Sequence, residues 1–485
     1  VLVMLGLSCA TAAIAGAQDV SDSAPVVPAP VAPAAPTVAL PPSMPLPTLT
    51  DKQAETLARL LDENAVKQGL RHGPASESVP SGDALVRAAL DHARAVHAGR
   101  LDTSDFQQDW GLRPRPYDPL PAFAEAVRRD RIAAWMAALP PPYAGYDGLE
   151  KGLAAYRRIE ADGGWQTIPA GPDMTIGASG PRVVALRKRL AVEDKQVETG
   201  GATFDVALVE AVRRAQRRYG LNPSGIVSTQ TLAALNVPVA DRVRQIMANM
   251  ERWRWLPPEL AKDRIQVNIA AAVLTVFDGD APVKSMRAVT GRPGDETPML
   301  ESQIHSIVIN PPWNVPTSIA TRELWPKEKS NPGYLKRNGF KIIPTEGGGR
   351  RLQQAAGDKS ALGRFKFDFD NPYAVYLHDT PAQAGFARYS RLSSHGCVRL
   401  EKPKELAELL LKDDPAWADG VDAAVEKGTT MRARLPRPVT VYLLYWTAFA
   451  SANGQMNFRA DPYDWDGILA SKIEARSARQ ALAAR

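Results

Sequence analysis

The sequence predicts a multidomain α+β protein: a helical first half of more than one unit, then a mainly β half that carries the chemistry and is interrupted by an insertion. Three observations carry this. Apolar residues recur at helical spacing from Thr50 to about Trp255, alternate at period two from Arg264, and lose both rhythms over residues 317–372, where charged, Gly-rich and Pro-rich sequence takes over. A length of 485 residues, 45% hydrophobic and 23% charged, is that of several ordinary globular domains with a sizeable core. The net charge of +6 fits an anionic polymer without selecting one.

Residues 1–17 are apolar and small, and Ala15-Gly16-Ala17 before Gln18 has the A-x-A form of a signal-peptide cleavage site. The positive n-region is missing, as a truncated or alternatively started N-terminus would explain. The run is shorter than the roughly 20 residues that span a membrane. Cys9 lies within it behind Gly6-Leu7-Ser8, where Gly occupies the position at which lipoprotein signals carry Leu, so export to the periplasm without a lipid anchor is expected. Residues 18–49 are a Pro/Ala-rich linker, which cannot form a helix or a sheet interior and reads as an extended spacer.

Residues 50–170 read as a helical domain. Thr50-Asp51-Lys52-Gln53 is a capping box ahead of a Leu57, Leu60, Leu61 stripe, and further helices are expected over 83–97, 121–139 and 149–161. His92 and His97 are five apart, not the i, i+4 of a helical metal pair, and are read as helix-surface residues. Residues 171–238 form a separate unit of three short helices. Their stripes are Val183, Leu186 and Leu190 behind Pro181; Phe204, Leu208, Val212 and Tyr219 ahead of Gly220; and Thr231, Leu232 and Leu235. Arg213, Arg214, Arg217 and Arg218 form i, i+4 pairs, read as a solvated face in preference to a contact patch. Residues 239–262, with Arg252-Trp253-Arg254-Trp255, are expected to be a packing hinge, and no nucleic acid is expected on one such cluster. Strands follow at 265–269, 273–277, 283–289 and 304–309 in a catalytic domain over 263–460, before a tail over 461–485. A 317–372 insertion of this length in a compact domain reads as a lid, with Trp325, Tyr334 and Phe340 as packing anchors. Its Gly347-Gly348-Gly349 run follows no strand and lacks Lys-Ser/Thr, so it is not a phosphate loop.

Cys9 and Cys397 are the two cysteines, and loss of the leader would leave Cys397 as one unpaired thiol in an oxidising compartment. Its setting, Ser393-Ser394-His395-Gly396-Cys397-Val398-Arg399, is a polar turn, which suits a nucleophile better than a core residue. A thiol nucleophile needs an imidazole to hold it as thiolate near neutral pH, and donors for an oxyanion. His378 is favoured as that imidazole over His395, because Tyr373-Ala374-Val375-Tyr376-Leu377 reads as a short buried strand with His378 at its end and Asp379-Thr380-Pro381 as a turn. The N–H groups around Gly396 and Cys397 are the expected oxyanion donors. A helix over 403–411 would add its dipole in favour of thiolate. No metal constellation is visible and no cofactor is expected.

Tyr376-Leu377-His378-Asp379-Thr380-Pro381 and, nineteen positions from His to Cys, Ser394-His395-Gly396-Cys397-Val398-Arg399 resemble the L,D-transpeptidases of the YkuD type. Asn310-Pro311-Pro312-Trp313-Asn314-Val315-Pro316 and Tyr442-Leu443-Leu444-Tyr445-Trp446-Thr447-Ala448 are similar to the large periplasmic YcbB-like branch, and the likeness extends over nearly everything after residue 50. Leu186-Arg187-Lys188-Arg189-Leu190 and Ala215-Gln216-Arg217-Arg218-Tyr219-Gly220-Leu221 resemble the type 1 peptidoglycan-binding domain. The resemblance implies a helical scaffold, that three-helix module, a mainly β catalytic domain and a capping insertion over 317–372. It implies a Cys397 thioester with His378 as base, a donor stem tetrapeptide cut after its third residue with release of D-alanine, and an acceptor stem amine that completes a 3-3 cross-link. Gly396, His395, Arg399 and Ser394 are the implied oxyanion and substrate residues, with Arg399 on a substrate carboxylate or supporting the loop, and Asn310, Trp313, Tyr376 and Asp379 line the implied cleft. Some relatives have Gly or Ser after the catalytic His, so Asp379 leaves the orientation of His378 open. The implied partners are peptidoglycan stem peptides and other cell-wall synthesis proteins. Water as acceptor (an L,D-carboxypeptidase), attachment of a lipoprotein to the wall, and a non-catalytic wall-binding scaffold are the alternatives.

Overall fold

A computed structural model describes residues 44–71 and 80–483; the expected signal peptide, most of the expected linker, Cys9 and His72 lie outside the described residues. The first folded element is α1 (Asp51–Lys67), capped as expected: Thr50 N–H donates to Gln53 Oε1 at 3.1 Å and Gln53 N–H to Thr50 Oγ1 at 3.3 Å. With α2 (Gly82–Ala98), α3 (Leu120–Arg128) and α4 (Ile132–Ala137) it buries a cluster that includes Leu57, Leu85, Ala89, Phe123 and Ile132. The next helix, α5 (Ala144–Ala161), turns its Tyr146, Leu149, Leu153 and Tyr156 into the main core instead.

Helices α6 (Pro181–Ala191), α7 (Val206–Arg218) and α8 (Thr229–Leu235) make the three-helix unit. Asp205 caps α7 through Leu208 N–H at 2.8 Å, and Ser228 caps α8 through Thr231 N–H. The unit is joined to α5 through a buried carboxylate. Glu193 accepts from Arg189 Nη1 at 2.7 Å, from Tyr219 OH at 2.5 Å and from Tyr156 OH on α5, with Arg218 at 3.4 Å. Burial pushes that carboxyl up, but the two guanidiniums and two phenols outweigh it and hold it at about 2. Arg218 is therefore buried, which corrects its expected place on a solvated face. Arg213 and Arg214 pair with Glu210 and Asp194, and Arg217 stays exposed.

Residues expected to form a hinge contain α9 (Val239–Trp253), a buried rod between the helical and β parts. Its Glu251 is fully buried and accepts from Arg100 N–H at 2.5 Å and Arg254 Nη1 at 2.8 Å. Arg254 Nη2 in turn donates to Gln68 O at 2.5 Å and to Tyr146 OH at 2.9 Å. Such a helix cannot flex without stranding charge in the interior.

The β half contains β1 (Asp263–Asn268), β2 (Val273–Asp278), β3 (Ala281–Gly291), β4 (Leu300–Ile309), β5 (Trp313–Asn314), β6 (Phe340–Pro344), β7 (Arg350–Gln354), β8 (Phe365–Phe369), β9 (Leu377–His378), β10 (Leu392–Ser394), β11 (Val398–Leu400) and β12 (Met431–Leu444). The main sheet runs β10-β3-β11-β9-β8-β4-β12-β1-β2, and β2 also pairs with β3, so eight strands close on themselves and leave β10 attached to the upper end of β3. Their inner residues, among them Ile265, Leu274, Ile307, Phe367, Leu377, Val398 and Val441, form the barrel core. Outside it lie α13 (Pro403–Leu411) and α14 (Asp422–Glu426). Strand β12 belongs to the barrel, and β13 (Ala448–Ala450) forms a separate hairpin with β14 (Met456–Phe458).

The insertion is a lid with its own small core. Helices α10 (Thr317–Ile319), α11 (Trp325–Ser330) and α12 (Tyr334–Arg337), a π-helical turn at Ala320–Leu324 and the sheet β5-β7-β6 enclose Val315, Ala320, Leu324, Leu335 and Leu352. Trp325, Tyr334 and Phe340 pack around that core, half-buried. The lid begins earlier and ends sooner than expected, because β5 belongs to it while β8, inside the 317–372 span, is a barrel strand paired with β4. The expected tail starts with a well-anchored helix, α15 (Trp465–Ala483). Asp466 accepts from Arg252 Nη1 at 2.5 Å and Thr447 Oγ1 at 2.7 Å, and Trp465 packs on Trp110 and Tyr445.

Replacing Glu193 with Ala should cost about 3–5 kcal/mol, because it leaves Arg189 and Arg218 buried without a counter-charge. The depressed carboxyl stabilises the fold fully above the unfolded-state pKa of about 4.3, and that share is lost as pH falls toward the folded value of about 2. Denaturant melts of both proteins from pH 7 to pH 2 should therefore converge at the acid end.

Candidate active site

The site is built on one parallel strand pair. Val398 N–H donates to Tyr376 O at 3.1 Å, and the register sets Val398 opposite Leu377 and Arg399 opposite His378. Val398 and Leu377 are fully buried in the barrel, so by strand alternation Cys397, Arg399, Tyr376 and His378 share the opposite face. There they line one cleft of about 640 Å³, whose far wall is the lid, including Trp313, Glu323, Tyr334 and Phe340. Expectation and structure differ locally: residues 373–376 form no strand, Asn371 Oδ1 accepting from Tyr373 and Val375 N–H, and His378 lies within β9.

Cys397 carries the single free thiol among the described residues. Burial pushes the thiol up, against the neighbouring Tyr376 and the charges of Lys366 and Arg399, which favour its charged form. His378 is buried, and burial, with the positive charges of Arg399 and Lys366, pushes its imidazole down to about 3 against the bond to Asp379. Burial thus favours the uncharged form of both the thiol and the imidazole.

Asp379 supplies the orientation that the sequence left open, through its main chain. His378 Nδ1 lies 2.5 Å from Asp379 O, and a carbonyl only accepts, so Nδ1 carries the proton and Nε2 is left with the lone pair. The Asp379 carboxylate does not line the cleft; it accepts from Arg364 and Thr380 N–H, each at 2.7 Å, and fixes the turn behind the imidazole. Gly363, at φ +59°, is required there, since a Cβ would stand 2.3 Å from that carboxylate. Asn310 corrects a second expectation. It is fully buried away from the cleft at φ +48°, its Nδ2 donating to Ala424 O at 3.0 Å and Val425 O at 3.1 Å, and its Oδ1 accepting from Arg364.

The nucleophile loop is held from below. Ser394 Oγ donates to Cys397 O at 2.6 Å and accepts from Gly396 N–H at 3.3 Å, while Thr297 Oγ1 donates to Gly396 O at 2.7 Å. Gly396 sits at φ +104°, where a side chain would be strained. Its N–H is therefore already engaged, whereas the Cys397 N–H makes no hydrogen bond among the described residues. The Arg399 side chain, half-buried in the cleft wall, likewise has no hydrogen bond or ion pair among the described residues. His395 reaches the lid, its Nε2 2.6 Å from Glu323 Oε1. Glu323, Thr297 and Lys366 escaped the sequence reading. The alternation Phe365-Lys366-Phe367-Asp368-Phe369 could have found Lys366; nothing local marks the other two.

A thiol, an imidazole with one free lone pair, an unpaired cation and a roof have the parts of a thiol-based acyl-transfer site. Residues 262–429 match the L,D-transpeptidase catalytic domain family (YkuD), residues 179–235 the "Putative peptidoglycan binding domain" family, and residues 83–153 the scaffold domain family. Over those residues the chain is thus similar to a YkuD-type L,D-transpeptidase catalytic domain behind a peptidoglycan-binding-type module. It is 34% identical over 243 residues to a "Putative L,D-transpeptidase" of Haemophilus influenzae, across 46% of this chain and 48% of that one, so the match spans about half the length of that relative. Solved structures similar to it include L,D-transpeptidases from Xylanimonas cellulosilytica (17% identity, 57% of this chain and 99% of that chain, TM-score 0.20) and Stackebrandtia nassauensis (14%, 57% and 97%, TM-score 0.25).

Asn310→Ala should lower stability by about 2–4 kcal/mol, since it strands buried carbonyls and leaves Ala in a left-handed conformation. The rate at which iodoacetamide alkylates Cys397 in the folded protein should stay at the wild-type value, which a cleft residue would not allow.

Proposed function

We propose that this protein is a periplasmic, YcbB-like L,D-transpeptidase that joins peptidoglycan stem peptides by 3-3 cross-links through a Cys397 thioester. The observation that supports the reading best is the common face of β9 and β11, which brings Cys397, His378 and Arg399 to one roofed cleft. The succession of scaffold, peptidoglycan-binding and catalytic domains is consistent with it.

In the reading proposed, Cys397 Sγ attacks the carbonyl carbon of the third residue of the donor stem while its proton passes to His378 Nε2. The C–N bond to D-alanine then breaks, and the amine leaves with that proton. The acceptor amine attacks the thioester, gives its proton to Nε2, and the expelled sulfur recovers it. The Cys397 N–H is the nearest donor for the oxyanion, because Gly396 N–H is bound to Ser394. Arg399 receives a carboxylate of the stem, the partner its side chain lacks among the described residues. The lid favours an amine acceptor by limiting water, whereas water would give an L,D-carboxypeptidase from the same residues.

Mass spectrometry of wall fragments incubated with the protein tests this. Wild type should yield 3-3 dimers and D-alanine, and Cys397→Ala neither; a trimmed stem without dimers would instead identify a hydrolase, and dimers formed by Cys397→Ala would exclude the thioester. Arg399→Ala should raise KM by about tenfold or more, the loss of one charge-assisted contact. The imidazole of His378, neutral down to about pH 3, should keep kcat/KM from falling near pH 6.5 as acid is added, so activity at pH 5 should approach that at pH 7.

A further inference from the structure

The lid touches the nucleophile loop through one short polar contact, and both ends of it sit in a wider charged cluster. Glu323 belongs to the π-helical turn Ala320–Leu324, a form that recurs at functional sites, and its carboxylate meets His395 Nε2 at 2.6 Å. His395 is two residues from Cys397 and lines the same cleft. The loop after β3 takes part as well: Arg292 Nη2 lies 2.7 Å from Asp295 and 3.6 Å from Glu323, while Arg322 on the lid reaches Asp295 at 3.1 Å. Lys327 approaches Glu323 at 3.9 Å.

The same loop supports the nucleophile from its other side. Arg292 N–H donates to Ser394 O at 3.1 Å, and Thr297 binds Gly396 O. The lid is thus fastened to the two segments that fix the Cys397 main chain. Partial burial pushes the Glu323 carboxyl up, but the His395 hydrogen bond and the charges of His395, Lys327 and Arg292 hold it below its ordinary value, so it is an anion wherever the protein is folded near neutral pH. An isolated exposed pair would contribute little; a half-buried pair inside a network of both signs contributes more.

We propose that Glu323 is a positioning residue: by holding His395 it clasps the lid to the nucleophile loop and couples closure of the cleft to the placement of Cys397. The idea rests on the transpeptidase reading for its role in turnover, yet the clasp itself is open to test through the thiol alone. Losing the clasp lets the lid lift and the loop relax. Small reagents then reach the sulfur faster, while a substrate that needs the sulfur placed is processed more slowly.

The test compares wild type with Glu323→Ala, His395→Ala and the double variant, following turnover of a disaccharide tetrapeptide and alkylation of Cys397 by iodoacetamide. Each single variant should lower kcat by about tenfold with a smaller change in KM, and the double variant should lose no more than either one. Alkylation should accelerate several-fold in all three, on the order of the loosening that a lost clasp allows. Glu323→Gln, which keeps an oxygen for His395, should recover most of the rate. Multiplicative losses in the double variant, or alkylation that stays constant or slows, would overturn the proposal. Should Glu323→Ala not fold, the alkylation rate of His395→Ala decides in the same way. A chain that proved to be a hydrolase would still show the alkylation signature if the clasp exists, so the two readings fail separately.

Discussion

Everything at the site depends on the register of two very short strands. Leu377–His378 and Val398–Leu400 run parallel with Arg399 opposite His378, which assigns Leu377 and Val398 to the barrel core and leaves Tyr376, His378, Cys397 and Arg399 outside. A slip by one residue would bury the polar set and expose the apolar one, so the burial of two aliphatic side chains enforces the juxtaposition of thiol and imidazole. The chemistry is positioned by hydrophobic packing, with the polar bonds of Ser394, Thr297 and Asp379 trimming the result.

Electrostatics follow from the same placement. Desolvation drives both partners toward their uncharged forms, while Arg399 and Lys366 further disfavour an imidazolium. A thiol is a poor nucleophile until its proton has somewhere to go. The main-chain carbonyl of Asp379 makes that transfer directional by fixing the tautomer of His378.

The outline of the architecture was legible because periodicity is a local property. The capping box at Thr50, the stripes of the three-helix unit and the alternation after Arg264 all reappear as helices and strands. What eluded the sequence was decided at long range. Arg218 and Arg252 read as surface or hinge cations until Glu193 and Asp466, distant in sequence, arrive to pair with them. Asn310 sat in a motif beside Trp313 and was read with it, but its left-handed backbone turns it away into a carbonyl cage. Glu323 had no local signal at all, being one carboxylate among many in a charged insertion. The five residues of β8 did carry an alternating signal, masked by the irregular sequence on either side.

The buried Glu193 cluster, with Phe458 stacked on Tyr219, has a mechanical consequence. A module on a flexible tether samples a spread of distances and raises the local concentration of whatever its partner domain seeks. Here the three-helix unit is welded in place, so nothing is left to swing. Any surface it touches stands at one set distance from the thiol.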